Sequence, residues 1–309
     1  MRLIGLVLFV YVLSKVHWSE FFRILREINP GYFFLGILLT IPALCLRALR
    51  WRELVLAVES RISPREAILI FAKALFWGVV TPGKIGELSR AKYLSQKNRL
   101  VLDKALFTVI FDKLTEFFFI AFLCFLALWA LFYLFEVDLL WLGIILILLM
   151  SGTVYFLIKK ERSLKLLRIF FRIFVFNSLR ERAEAFFNGF FEQTRRVSRA
   201  LMVKLFFYET AVYLLMFLVF FFMARSLGIN APVWYLALMI PPIIIIAALP
   251  ISVLGLGTRE AAFIFFFSLI DLNLNQAVAF SFLIMVWSLA SALPGLILIY
   301  GYSSSSKTG

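Results

Sequence analysis

The chain has 309 residues, 63% hydrophobic and 16% charged, where a soluble domain carries about 25% charged residues. Phe alone fills 37 positions, more apolar surface than one water-soluble core can hide, so lipid is the expected solvent. The formal net charge of +14 comes without a basic soluble module, which argues against nucleic acid and for basic loops beside anionic headgroups.

About 20 residues are needed to cross the hydrocarbon as a helix. Charge-free runs at 3–14, 28–46, 117–135, 139–158, 210–224, 226–258 and 272–306 meet or approach that length. The first follows a lone Arg2 and has no small-residue cleavage site, so it reads as a retained span extended toward Trp18. The run 226–258 contains Pro241, Pro242 and Pro250 and is expected to be broken by them. The last run holds a span at 277–301, followed by a short polar tail, 303–309, expected to be disordered.

Loop charges orient the spans. The segment 159–204 carries twelve Lys/Arg against four acids, so the positive-inside tendency makes it cytoplasmic. Residues 47–65 and 84–113 are basic as well, while Glu136-Val137-Asp138 has no cation and fits the outside. With both basic segments inside, 67–83 cannot cross. A re-entrant element turning at Thr81-Pro82-Gly83 resolves the parity. A second, entering from outside, resolves 233–270, where Pro250 to Glu260 interrupts the apolar sequence. Both termini are then cytoplasmic. Within 160–200, basic and Phe-rich stretches fit helices on the cytoplasmic membrane surface. The expected fold is an all-α membrane bundle, a single domain over 1–302, with about six full spans and two re-entrant elements.

The two interruptions resemble each other. Val80 to Arg90 reads VTPGKIGELSR, and Leu249 to Glu260 reads LPISVLGLGTRE. Each has Pro, spaced glycines, then Glu and Arg. Paired broken helices in opposite orientation are the sequence pointer to an alternating-access site near the midplane. Pro82, Gly83, Gly86, Pro250, Gly255 and Gly257 are the expected hinges, freeing backbone groups for a polar ligand. Helix N-termini after Gly86 and Gly257 favour an anion. Arg90 and Arg259 can grip phosphate bidentately, with Glu87 and Glu260 holding them while the site is empty. The same spacing also fits two interfacial turns with ordinary Arg–Glu pairs. Lys73, Asp112, Lys113, Glu116 and Glu209 are further charges at membrane depth, where such residues face a cavity or each other. Asp112 and Glu116 share a helical face and are assigned to ion pairing or gating. Lys73 is either a ligand contact or paired with an acid. One histidine, His17, and two cysteines in apolar runs, Cys45 and Cys124, argue against a metal centre, and no cofactor is expected.

Arg47-Ala48-Leu49-Arg50-Trp51, the Thr81 to Arg90 segment, Asp112-Lys113-Leu114-Thr115-Glu116 and the Pro250 to Glu260 segment, in this order, resemble the lysylphosphatidylglycerol synthase transmembrane region, also called the flippase-like domain family. The resemblance covers essentially the whole chain. It implies a lipid flippase in the cell membrane, with Arg47, Arg50, Lys73, Lys84, Glu87, Arg90, Arg259 and Glu260 as substrate-binding candidates. The partners implied are lipids with anionic headgroups, either phospholipid or polyprenyl-phosphate-linked, and a lipid-modifying enzyme. In bifunctional members a separate soluble C-terminal domain performs aminoacyl transfer. This sequence ends seven residues after Tyr302, so that chemistry is not expected of it. The competing readings are an intramembrane lipid-modifying enzyme, which has no Asp-x-Asp, HExxH or P-loop to support it, and a non-catalytic subunit of such an enzyme.

Overall fold

The computed structural model describes residues 2–98, 100–137, 139–158, 177–248 and 255–305, and among these it contains twelve α-helices and no strand. They are α1 (Arg2–Ser14), α2 (Trp18–Arg26), α3 (Pro30–Ala57), α4 (Pro64–Val80), α5 (Ser89–Asn98), α6 (Leu102–Phe135), α7 (Leu140–Ile158), α8 (Asn177–Arg196), α9 (Arg199–Ser226), α10 (Val233–Ala248), α11 (Thr258–Ser268) and α12 (Leu274–Ser305). Four described helices, α3, α6, α9 and α12, are long and apolar enough to cross a membrane, or five spans if α1 and α2, bent by 90°, count as one. Within α7, Trp141–Tyr155 counts as a shorter apolar helix. About six full spans are expected from sequence, and four or five pass on length and composition among the described residues. Phe34, Leu38, Trp129, Tyr133, Leu148 and Ile297 stand exposed around the bundle, a girdle that only lipid can cover.

Pro241 and Pro242 do not break the sixth apolar run, 226–258. They lie inside α10, which continues to Ala248. Proline removes a backbone donor, but packing against neighbours tolerates this in apolar helices. Residues 249–254, Pro250 among them, lie outside the described residues, as does 159–176 of the expected surface helices. Of those, α8 is described, and its Phe190 and Phe191 are buried in protein, with Phe190 5.1 Å from the Phe107 ring of α6. Helix α12 carries through Ser303 to Ser305, the start of the polar tail.

The chain is built twice. Helices α9, α10 and α11 begin 169 residues after α3, α4 and α5 (199 − 30, 233 − 64 and 258 − 89). Helices α3 and α9 are both 28 residues long and both have side-chain caps, Asn29 accepting from the Tyr32 N–H and Ser198 from the Leu201 N–H. The packing repeats too: α4 lies on α12 as α10 lies on α6, and α5 on α6 as α11 on α12. Helices α3 and α9 form the broadest interface and run antiparallel. Asn29 N–H donates to the Ser226 carbonyl at 2.8 Å at one end, and Lys204 meets Glu53 at 2.8 Å toward the other. Corresponding helices that run antiparallel make the second half an inverted copy of the first, turned about an axis that crosses the α3–α9 pair.

In the first half, α4 and α5 form a hairpin that enters from one end of the bundle and leaves by the same end. Glu66 near its start meets Lys97 near its end at 2.7 Å, and Trp77 Nε1 donates to the Tyr93 hydroxyl at 3.1 Å. At the tip, the 3₁₀ turn Pro82–Leu88 folds back on α4. Thr81 Oγ1 donates to the Trp77 carbonyl (2.6 Å) and accepts from the Gly86 N–H (2.7 Å). Only glycine fits at 86, because a Cβ there would stand 2.1 Å from the Trp77 carbonyl oxygen. Helices α10 and α11 form the equivalent hairpin from the opposite end, with the Tyr235 hydroxyl donating to the Phe266 carbonyl. Here Gly257 (φ +86°) lies against α1, where a Cβ would be 2.0 Å from the Gly5 carbonyl oxygen.

Candidate functional site

The hairpin tip, the second half of α3 and the first half of α6 bring their charges together. Spacing of three and four residues puts Arg47 and Arg50 on one face of α3, and Asp112 and Glu116 on one face of α6. Asp112 is the hub: its Oδ1 accepts from Arg50 Nε at 2.9 Å and its Oδ2 from Arg90 Nη1 at 2.7 Å. All three side chains are almost completely buried. Arg47 pairs with Glu116 at 3.1 Å, and Lys113 bridges Glu116 at 2.8 Å and Glu87 at 2.6 Å. Glu87 also lies 3.5 Å from Arg90. The Phe71 ring backs the cations, 4.7 Å from Arg90 and 5.4 Å from Arg47. Gly78 gives Glu87 its place, since a Cβ there would fall 2.5 Å from Glu87 Cγ.

Such a network in low dielectric holds only if its groups satisfy one another. Arg50 Nη1 and Nη2 and Glu209 Oε1 meet their partners as ion pairs, and Glu87 Oε1 is left buried without a hydrogen-bond partner among the described residues. Lys84, on the same turn, makes no ion pair with any described residue, and its backbone is held at φ +56°, a left-handed conformation that costs a side-chain-bearing residue about 1 kcal/mol. The second half contributes Glu209 of α9, which pairs with Arg50. The cluster therefore sets five cations (Arg47, Arg50, Lys84, Arg90, Lys113) against four carboxylates (Glu87, Asp112, Glu116, Glu209).

These charges border a cavity of about 200 Å³ between the two halves. Arg47, Lys84, Glu87, Glu116 and Glu209 line its charged side. Apolar walls come from Leu75, Val212, Met216, Phe220 and Ile244. Thr40, two turns of α3 from Arg47, accepts from Trp287 Nε1 at 2.8 Å, and both line the uncharged side. Lining positions fall into repeat pairs, with Ala43 matching Val212, Leu44 matching Tyr213 and Leu75 matching Ile244 at the same 169-residue offset. The cavity thus straddles the axis between the halves.

Not every candidate comes here. Arg259 and Glu260 form a separate buried cluster in the second half. Arg259 donates to Ser281 Oγ at 2.9 Å and to Glu260 Oε1 at 2.7 Å, Ser281 donates to Glu260 at 2.8 Å, and the Gly257 N–H donates to Glu260 Oε2 at 2.6 Å. None of these residues lines the central cavity. Arg259 is the repeat mate of Arg90 and Ser281 that of Asp112 (259 − 90 and 281 − 112), so one contact is built twice, charged in one half and mostly neutral in the other. Lys73 is also elsewhere, 5.8 Å from the Tyr93 ring, in a lateral groove with Glu66, Lys97, Ile297 and Leu298. The 3₁₀ turn starts at Pro82 and includes Gly83 and Gly86, and Gly255 (φ +75°) and Gly257 flank the start of α11. Among residues not put forward as ligands from sequence, Glu209 and Lys113 belong to the site. Their charge inside apolar sequence was the signal. Thr40 and Trp287 carried none. Among the described residues there is no His/Cys/Asp/Glu group able to hold a metal.

Across residues 2–297, nearly the whole chain, the sequence matches the family model described as the lysylphosphatidylglycerol synthase TM region. No curated protein matches the chain.

Proposed function

The chain belongs to the lysylphosphatidylglycerol synthase transmembrane-region family, a multi-pass membrane protein, and on that premise we propose that it moves a lipid with an anionic headgroup between leaflets. The headgroup enters the central cavity while the acyl chains stay in the bilayer. The observation that carries this reading is a cavity between inverted halves whose bordering charges leave one cation, Lys84, without an ion-pair partner among the described residues. At about 200 Å³ it is smaller than the roughly 300 Å³ at which ordinary ligand clefts begin, so it suits a headgroup and not a whole lipid. Lys84 and Arg47 take the phosphate, and Glu87 Oε1 accepts from a hydroxyl or ammonium on the headgroup. Opposed hairpins give each leaflet an approach to the same cavity. The protein sits in the cell membrane, with the basic ends of α3, α5, α6 and α9 on the cytoplasmic side beside both termini.

The test is translocation of fluorescent phosphatidylglycerol, and separately of a labelled polyprenyl phosphate, in proteoliposomes, by loss of protection from an impermeant quencher. Wild type should exceed empty vesicles for one of them, and Lys84→Gln and Arg47→Gln should lower the rate at least tenfold. Wild type no faster than empty vesicles, or both variants at the wild-type rate, would overturn the reading.

A further inference from the structure

Resting on that same reading of the cavity, we infer that Glu209 is a resident counter-ion: it occupies Arg50 in the empty site, and the lipid phosphate replaces it, releasing α9 from α3. Arg50 is completely buried and does not line the cavity, whereas Glu209 does. The carboxylate therefore stands between the guanidinium and the ligand space. Two edges of the guanidinium are spoken for. Nε and Nη2 go to Asp112 at 2.9 and 2.8 Å, and Nη1 goes to Glu209. Nη2 also lies 3.7 Å from Glu116, so displacing Glu209 frees Nη1, whose present partner lines the cavity, in the planar fork that suits phosphate.

The origin of the charge supports the same assignment. Every other member of the cluster belongs to the first half. Taken alone, that half sets Arg47, Arg50, Lys84, Arg90 and Lys113 against Glu87, Asp112 and Glu116, an excess of two positive charges. Glu209 supplies one negative charge from the opposite half. Its repeat mate is Thr40 (209 − 169), so the carboxylate is not part of the shared scaffold. Among the described residues the other ion pair between α3 and α9 is Lys204 with Glu53, where the lysine is half exposed and adds little. The buried lock between the halves is thus Arg50–Glu209, and a phosphate on Arg50 opens it.

The experiment uses the full chain in detergent, with short-chain phosphatidylglycerol as probe and short-chain diacylglycerol as the uncharged control. Binding is read by native mass spectrometry. The α3–α9 separation is read by bismaleimide cross-linking of Glu53→Cys with Lys204→Cys, which flank the lock. Glu209→Gln keeps the shape and removes the competing charge. It should tighten phosphatidylglycerol at least tenfold, leave diacylglycerol unchanged, and lower cross-linking without any lipid. Glu209→Asp, which keeps the charge, should bind phosphatidylglycerol more weakly than Glu209→Gln. With Glu209 present, added phosphatidylglycerol should lower cross-linking. Unchanged or weaker phosphatidylglycerol binding by Glu209→Gln, or cross-linking that ignores the lipid when Glu209 is present, overturns the counter-ion role. The second readout needs no substitution of Glu209, so a poorly folded variant does not shield the inference. Absence of any phosphatidylglycerol binding to wild type overturns the cavity reading beneath it. Tightened binding without translocation in vesicles overturns transport and leaves the counter-ion role standing.

Discussion

Asp112→Asn tests the charge hub most directly. The carboxylate accepts from Arg50 Nε through one oxygen, which also lies 2.8 Å from Arg50 Nη2, and from Arg90 Nη1 through the other. An asparagine offers one oxygen and one NH₂, so whichever way it turns, a donor faces an arginine donor. The cluster's excess also rises from one positive charge to two. Both arginines are buried, so water cannot compensate, and breaking a buried pair by removing one partner costs about 3–5 kcal/mol. The inverted repeat supplies an internal control at the matching position. Ser281→Ala removes one hydroxyl that accepts from Arg259, but Arg259 keeps Glu260 at 2.7 Å, so the loss is about 1 kcal/mol. The two substitutions should differ by at least about 2 kcal/mol, or roughly 30-fold in the unfolding equilibrium. Tryptophan fluorescence during denaturant unfolding in detergent micelles reads both on one scale. If Ser281→Ala destabilises as much as Asp112→Asn, the assignment of Asp112 as the hub is wrong.

Lys84→Gln removes a charge with no ion-pair partner, so its unfolding midpoint should stay within about 0.5 kcal/mol of wild type while lipid movement falls. Gly86→Ala must move a Cβ away from the Trp77 carbonyl and push the tip off α4. A loss of about 1–3 kcal/mol, with faster hydrogen exchange at 82–88, is expected on denaturation and exchange mass spectrometry. Gly295→Ala should behave similarly at the α4–α12 contact, where its Cβ would meet the Ala72 carbonyl at 2.1 Å. Glu66, outside the four spans, has its carboxyl drawn from the ordinary value near 4.5 down to about 2 by the hydrogen bond from Lys97 and then by the Ser63 N–H. A lowered folded-state value means a stabilising contribution that is present above about 4.5 and lost as pH falls toward 2. Glu66→Gln should therefore speed exchange in α4 and α5 at neutral pH, with the difference from wild type narrowing in acid.

Much of the first half was legible because charge is expensive in an apolar run. Arg47, Arg50, Asp112 and Glu116 stand out against their neighbours, and each needs a partner at depth, so a charged pocket between α3 and α6 follows. Parity of the basic loops likewise gave the α4–α5 hairpin. Two features ran the other way. The likeness of the Pro82 and Pro250 segments was taken to put Arg90 and Arg259 around one pocket. An inverted repeat instead places equivalent residues on opposite sides of its axis, and only those close to the axis, such as Ala43 and Val212, meet across it. Lys73 was a matter of helical phase. Residues 71, 75 and 78 face the cavity, so 73, about 200° around the helix from 71, turns to Tyr93. The Phe residues of α8 were expected in lipid because their spacing is amphipathic, and periodicity cannot tell a lipid face from a protein face.

The two hairpins are held in place by different forces, and this bears on which of them can respond to a ligand. The second is fastened by close packing: Gly257 sits against Gly5 of α1, and Arg259, Glu260 and Ser281 satisfy one another. The first packs closely on α12 through Gly295 against Ala72, but among the described residues its tip has no such glycine seat. Leu88, the repeat mate of Gly257, is exposed, where Gly257 lies against α1. What seats the first tip is chiefly Glu87 on Lys113 and Arg90, together with the Thr81 and Gly86 hydrogen bonds. Packing contacts are indifferent to an arriving anion, but ion pairs are not, since a phosphate beside Lys113 or Arg90 competes with Glu87 for the same donors. A scaffold that is symmetric in backbone and asymmetric in charge therefore confines the ligand's leverage to one hairpin and to the α3–α9 lock beside it.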